Sequence, residues 1–182
     1  VVSNNVGTYR GGGIYNDGTA YTNVNCLIVD NVLCGTNDMG SVNYAGAAGV
    51  WNGTYFNCLI ARNVDCHVAY GRAVHNPYLY NCTVTDNTSC KKYGYAGGPG
   101  IGAVNSIIAG NTVTGSGTVS KDGYNFATNS YVTVTIEEAK GKDNIVGDDP
   151  KLGTVEGFAY TPLGSSKCKN NALKLDWMTN ET

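Results

Sequence analysis

The sequence predicts an all-β solenoid: a parallel β-helix of about four to five coils closed by a C-terminal cap. Three observations carry the prediction. The first is one phrase written five times: Val1-Val2-Ser3-Asn4-Asn5-Val6, Leu27-Ile28-Val29-Asp30-Asn31-Val32, Leu59-Ile60-Ala61-Arg62-Asn63-Val64, Thr83-Val84-Thr85-Asp86-Asn87-Thr88 and Ile107-Ile108-Ala109-Gly110-Asn111-Thr112. Its Asn recurs at 5, 31, 63, 87 and 111, in steps of 26, 32, 24 and 24. The second is a period-2 apolar pattern inside each unit, the signature of a strand. The third is composition. Gly is 25 and Tyr 13 of 182 residues, and only 14% are charged, against the usual quarter. Turns and strands are made of such residues.

Each element follows from the repeat. The stretches entering the phrase are Val24-Asn25-Cys26-Leu27-Ile28, Phe56-Asn57-Cys58-Leu59-Ile60, Tyr80-Asn81-Cys82-Thr83-Val84 and Val104-Asn105-Ser106-Ile107-Ile108. Alternation predicts positions one, three and five inward, and two and four outward. The closing Asn sits where the strand ends and the chain turns, a place Asn favours. Stacked on its equivalents it predicts an asparagine ladder of Asn5, Asn31, Asn63, Asn87 and Asn111. A weaker strand precedes the later phrases, at Gly12–Asn16, Ala48–Asn52 and Arg72–Asn76, with a degenerate copy at Ala96–Gly100. A unit of about 24 residues with two or three short strands is a solenoid coil, with rungs about 4.8 Å apart.

In chain order, residues 1–114 are regular coils, and residues 35–46 form an inserted loop that accounts for the 32-residue step. Residues 115–152 lose the period but continue the solenoid. They include a strand at Tyr131–Ile136 and a polar stretch, Glu137–Asp143, with room for one helical turn. Residues 153–182 are the cap and tail.

Net charge is −2, from 12 Lys+Arg and 14 Asp+Glu. That gives no basic face for nucleic acid, and the apolar runs are far too short to span a bilayer.

Six of the seven cysteines form three pairs spaced by eight, in three successive coils. They predict two stacks, Cys26, Cys58, Cys82 and Cys34, Cys66, Cys90. Two inward columns of small, soft side chains are one reading. Disulfides between rungs are another, since rung spacing falls inside the Cα range of roughly 4.4–6.8 Å. A metal site is disfavoured, because no His repeats beside the cysteines.

The Gly11-Gly12-Gly13-Ile14-Tyr15-Asn16 stretch and the Asn-Cys-x-Ile-x-x-Asn repeats resemble the right-handed parallel β-helix repeat proteins of bacteria, the pectin-lyase-like superfamily. Asn144–Leu152 and Tyr160–Cys168 resemble the segment with which many such secreted proteins close. The resemblance implies a right-handed coil and an extracellular or bacterial cell-surface location. It also implies a C-terminal fragment cut at both ends, because the sequence starts inside a coil and such sequences usually run on past a segment like Leu175–Thr179. Polygalacturonases of this fold use a Gly-Asp-Asp, as at Gly147-Asp148-Asp149, but their partner Asp and His motifs are missing here. Pectate lyases use a calcium-binding acidic cluster and a basic residue. Asp30, Arg62 and Asp86 make one outward mixed-charge column, whose simplest account is a solvated face. His67 and His75 have no Ser, Cys or Asp partner at a telling spacing. No cofactor is expected, and calcium is not indicated.

Tyr15, Trp51 and His75 share one register after inward Ile14, Val50 and Val74. Their rings are expected outward beside a column of Gly13, Gly49 and Ala73, a strip suited to stacking on sugars. The leading expectation is therefore a non-catalytic scaffold that binds polysaccharide, a cell-surface glycan or another surface through this strip and the 35–46 loop. The alternatives are a polysaccharide lyase or glycoside hydrolase with its active groups degenerate or elsewhere, and a fibre subunit associating end to end.

Overall fold

Short parallel strands, each stacked on its equivalents in neighbouring coils, build the molecule. The computed structural model describes residues 1–8, 10–35, 46–66, 72–89, 102–114, 127–128, 130–132, 143–146, 149–155 and 158–168. Around one coil the chain contributes in turn to four sheets. Sheet I holds Ile14–Tyr15, Val50–Trp51 and Val74–His75. Sheet II holds Thr22–Val24, Thr54–Phe56, Tyr78–Tyr80, Gly102–Val104 and Ala127–Thr128. Sheet III holds Val2–Ser3, Leu27–Val29, Leu59–Ala61, Thr83–Thr85, Ile107–Ala109, Tyr131–Val132 and Ile145–Val146. Sheet IV holds Val6–Gly7, Val32–Leu33, Val64–Asp65, Thr88–Ser89 and Thr112–Val113. All pairings within these sheets are parallel, as in a parallel β-helix. A coil thus carries four strands rather than two or three, because strands of two residues are too short to show a period. Leu152–Val155 and Phe158–Pro162 form a separate antiparallel hairpin. No helix of the described residues is long and apolar enough to cross a membrane.

The register obeys the sequence steps. Val2 pairs with Ile28, Ile28 with Ile60, Ile60 with Val84, and Val84 with Ile108. Ile28, Ile60, Val84, Ile108 and Val132 form one buried column, faced by Tyr55, Leu79, Ala103 and Ala127 from sheet II and Val50 and Val74 from sheet I. Each large aliphatic side chain buried this way contributes about 1.5–3 kcal/mol.

The corners explain where simple alternation fails. Asn25, Asn57, Asn81 and Asn105 all have φ between 50° and 54°, the left-handed region that Asn tolerates best after Gly. One such residue turns the chain between sheets II and III and resets the in/out pattern. The residues just before it were expected inward but face outward: Val24 is 51% exposed, and the Phe56 and Tyr80 rings stack with centroids 4.9 Å apart. The inward places go to Tyr55, Leu79 and Ala103. A second left-handed corner, between sheets III and IV, is made by Asn4, Asp30, Arg62, Asp86 and Gly110.

The ladder Asn follows that second corner and points inward. Each Oδ1 accepts from both the backbone N and the Nδ2 of the preceding Asn. Asn31 accepts from Asn5 at 3.1 and 2.9 Å, and Asn63 from Asn31 at 3.1 and 2.9 Å. Asn87 accepts from Asn63 at 3.0 and 3.0 Å, and Asn111 from Asn87 at 3.1 and 2.9 Å. From Asn31 onward each Nδ2 also donates to a carbonyl one rung back, such as Asn63 to Ile28 at 2.9 Å. Buried amides are thereby satisfied, as they must be.

Two expected columns change face. A Cβ on Gly49 would lie 2.9 Å from Asn63 Nδ2, and one on Gly13 would lie 3.0 Å from Asn31 Nδ2. Gly13, Gly49 and Ala73 therefore face inward over the ladder, not outward beside the rings; they are small because the ladder amide occupies the space. Cys34 and Cys66 are exposed rather than stacked in the core, because Leu33 and Asp65, one residue earlier, take the inward place. Cys90, His67, Gly147, Asp148, positions 36–45, 96–100 and 133–142, and the tail from 169 lie outside the described residues.

Candidate functional site

Sheet I brings Tyr15, Trp51 and His75 together. Tyr15 and Trp51 stack at 6.2 Å, and Trp51 and His75 meet at 3.9 Å. Exposure falls along the row, from 39% at Tyr15 to 8% at His75. The Arg10 guanidinium lies 5.7 Å from the Tyr15 centroid, and its Nη1 donates to Tyr15 Oη at 2.9 Å. At the other end Arg72 Nη1 lies 2.7 Å from His75 Nδ1. Burial, with Arg72 close by, pushes the His75 imidazole down to about 3. Tyr15 and Trp51 are thus stacked, His75 is tilted by 46° against Trp51, and an arginine lies at each end of the row.

A second constellation lies on the outward face of sheet III, under the C-terminal hairpin. Tyr160 of the hairpin stands between two cavities. One, of about 340 Å³, is lined by Asn25, Asn57, Asn81, Leu27, Leu59 and Thr83 among others. The other, of about 250 Å³, is lined by Thr85, Asp86, Gly110, Asp149, Pro150 and Leu152. Repetition builds the floor: successive coils set the same corner amide and the same outward strand position at rung spacing.

Arg62 ties the hairpin to the coil. Its Nε and Nη2 donate to the two carboxylate oxygens of Asp30, each at 2.7 Å. Its Nη1 donates to Tyr160 Oη at 3.0 Å. Both residues have left-handed backbones, φ 55° at Arg62 and 61° at Tyr160, which neither residue type favours. Non-Gly residues held this way cost on the order of 1–3 kcal/mol and concentrate at functional sites. The hydrogen bond from Arg62 holds the Asp30 carboxyl below its usual range, and Asp30 and Tyr160 together raise the arginine.

Two carboxylates on this face, Asp30 and Asp149, are held as anions. Asp149 accepts from the Lys151 backbone N at 2.7 Å and pairs with Nζ at 2.9 Å, and these contacts lower its pKa. A general acid for glycoside cleavage needs the opposite shift. The local geometry of Asp149 is that of a turn. Among the described residues, no group of three or more His, Cys, Asp or Glu is arranged to hold a metal ion.

Tyr160 was visible in the sequence only as part of the closing segment, with nothing to place it over sheet III. Arg62 carried one usable signal: it is the single long side chain in a corner column otherwise made of Asn, Asp and Gly. Fold and groove together define an all-β protein of stacked parallel strands with a hairpin-roofed lateral groove. Compared with protein-family models, curated proteins and solved structures, the chain matches none.

Proposed function

We propose that this chain is a rigid, non-catalytic scaffold that binds an extended glycan in the groove beside Tyr160, outside the cell or on a bacterial cell surface. The observation that carries the proposal is Tyr160 itself, a half-buried ring held by Arg62 in a left-handed backbone between two cavities. The groove floor is amide, hydroxyl and aliphatic, with one aromatic ring. That mixture suits sugars, whose rings present an apolar face and a polar rim. A parallel sheet gives a polymer the same amide at every rung. The anionic state of Asp30 and Asp149 favours recognition over hydrolysis. The Tyr15–Trp51–His75 row adds stiffness on another face of the same coils. In this reading the coil is right-handed and related to the pectin-lyase-like proteins.

The test is affinity electrophoresis against plant, mucin and microbial polysaccharides, comparing wild type with Tyr160→Ala and Trp51→Ala. One polymer should retard the wild type. Tyr160→Ala should weaken that retardation about tenfold, the value of one lost ring contact, while Trp51→Ala should bind as wild type. Equal retardation of wild type and Tyr160→Ala, or none by any polymer, would overturn the proposal.

A further inference from the structure

Cys26, Cys58 and Cys82 are in register on adjacent rungs, since their neighbours Leu27, Leu59 and Thr83 are paired. The Cys26 backbone N donates to Cys58 Sγ at 3.4 Å. Below them the column continues in hydroxyls: Cys82 N donates to Ser106 Oγ, and Ser106 N to Ser130 Oγ, each at 3.2 Å. The three positions above Ser106 thus fill with thiols a place that a hydroxyl fills equally well.

We propose that Cys26 and Cys58 are an oxidisable pair that closes a disulfide between neighbouring coils, with Cys82 left as a thiol. Adjacent rungs set Cα atoms about 4.8 Å apart, within the roughly 4.4–6.8 Å a disulfide spans. Access decides the order. Cys26 and Cys58 both line the larger cavity, but Cys26 is partly exposed, whereas Cys58 and Cys82 are 3% and 1% exposed. A small disulfide oxidant such as oxidised glutathione therefore meets Cys26 first. The Cys26 thiolate attacks one glutathione sulfur, and one glutathione thiolate leaves. The Cys58 thiolate then attacks Cys26 Sγ and expels the second. Two protein thiols lose two protons and two electrons, and one oxidised glutathione becomes two reduced ones. The thiolate is the nucleophile: burial and the neighbouring Cys58 raise the Cys26 thiol, so the first step quickens with pH, while the hydrogen bond from Cys82 lowers the Cys58 thiol and suits it to the resolving step. The bond closes the 32-residue separation from Cys26 to Cys58, the longest step of the repeat, where a cross-link removes most unfolded-chain entropy. The inference is independent of glycan binding.

The experiment equilibrates the full chain in oxidised or reduced glutathione, alkylates remaining thiols in acid-quenched, denatured samples and maps chymotryptic peptides. Chymotrypsin is needed because Cys26, Cys34 and Cys58 share one tryptic peptide between Arg10 and Arg62. The expected result is a peptide linked through Cys26 and Cys58, alkylated Cys82, and a thermal midpoint about 10 °C above that of the reduced chain. Cys58→Ser, and independently Cys26→Ser at the more exposed position, should abolish both the link and the rise. Alkylated Cys26 and Cys58 after oxidation, or a link from Cys58 to Cys82 or from Cys26 to Cys34, would overturn it.

Discussion

Replacing Asn63 with alanine should be among the most damaging single changes to this fold, although it removes only four heavy-atom contacts of one amide. Asn63 is 0% exposed. Its Oδ1 accepts from Asn31 N and Nδ2, and its Nδ2 donates to Asn87 Oδ1 and the Ile28 carbonyl. Alanine deletes all four bonds, each with a net worth of about 1 kcal/mol. It also takes the acceptor from the buried Asn31 N–H, which costs roughly 1–3 kcal/mol more. The sum is roughly 5–7 kcal/mol. Asn5 is the internal control. It is exposed, and its side chain makes one ladder bond, from Nδ2 to Asn31, so Asn5→Ala should cost about 1 kcal/mol. Urea unfolding followed by far-UV circular dichroism would measure both, with the midpoints compared at equal slope. A midpoint for Asn63→Ala no lower than that for Asn5→Ala would refute the claim that the ladder stabilises the coil stack through buried amide bonds.

The other predictions use the same assay. Gly49→Ala should cost about 1–3 kcal/mol, because the new methyl would meet Asn63 Nδ2 at 2.9 Å and the Ala73 carbonyl oxygen at 3.0 Å. Gly164→Ala, with nothing within 4 Å, should stay within about 0.5 kcal/mol. His75 gives a pH signature. Its folded pKa is about 3, below the unfolded value of about 6.5, so between these values the unfolded chain binds the extra proton. Stability should therefore fall as pH drops from about 6.5 toward 3, by at most about 1.4 kcal/mol per pH unit from this group. His75→Phe should remove that component, and NMR of the wild type should show a His75 ring that stays neutral down to about pH 4. A ring titrating near 6.5 would sink this prediction.

Much of the architecture was legible because a solenoid repeats its constraints. An Asn that must bond its equivalent one rung away recurs at each coil, and Ile28, Ile60, Val84 and Ile108 announce one inward column by position alone. The errors fell at corners. Period 2 assumes continuous strand, and a single left-handed Asn at 25, 57, 81 or 105 shifts the phase, which is why Phe56 and Tyr80 were expected inside. Cys34 and Cys66 moved to the surface because the second left-handed corner, at Asp30 and Arg62, shifts the phase again, with Leu33 and Asp65 taking the core positions.

The groove was not legible. The chain by itself determined which residues stack, since stacking links positions one period apart, and it determined the ladder and the thiol column with it. Only the tertiary structure decided that Tyr160 lies over Arg62, 98 positions away, and that the rings of Tyr15, Trp51 and His75 pack against one another. Such contacts join segments that share no period. Where a hairpin settles is decided by shape and by the polar partners it meets, here the Arg62 guanidinium already oriented by Asp30.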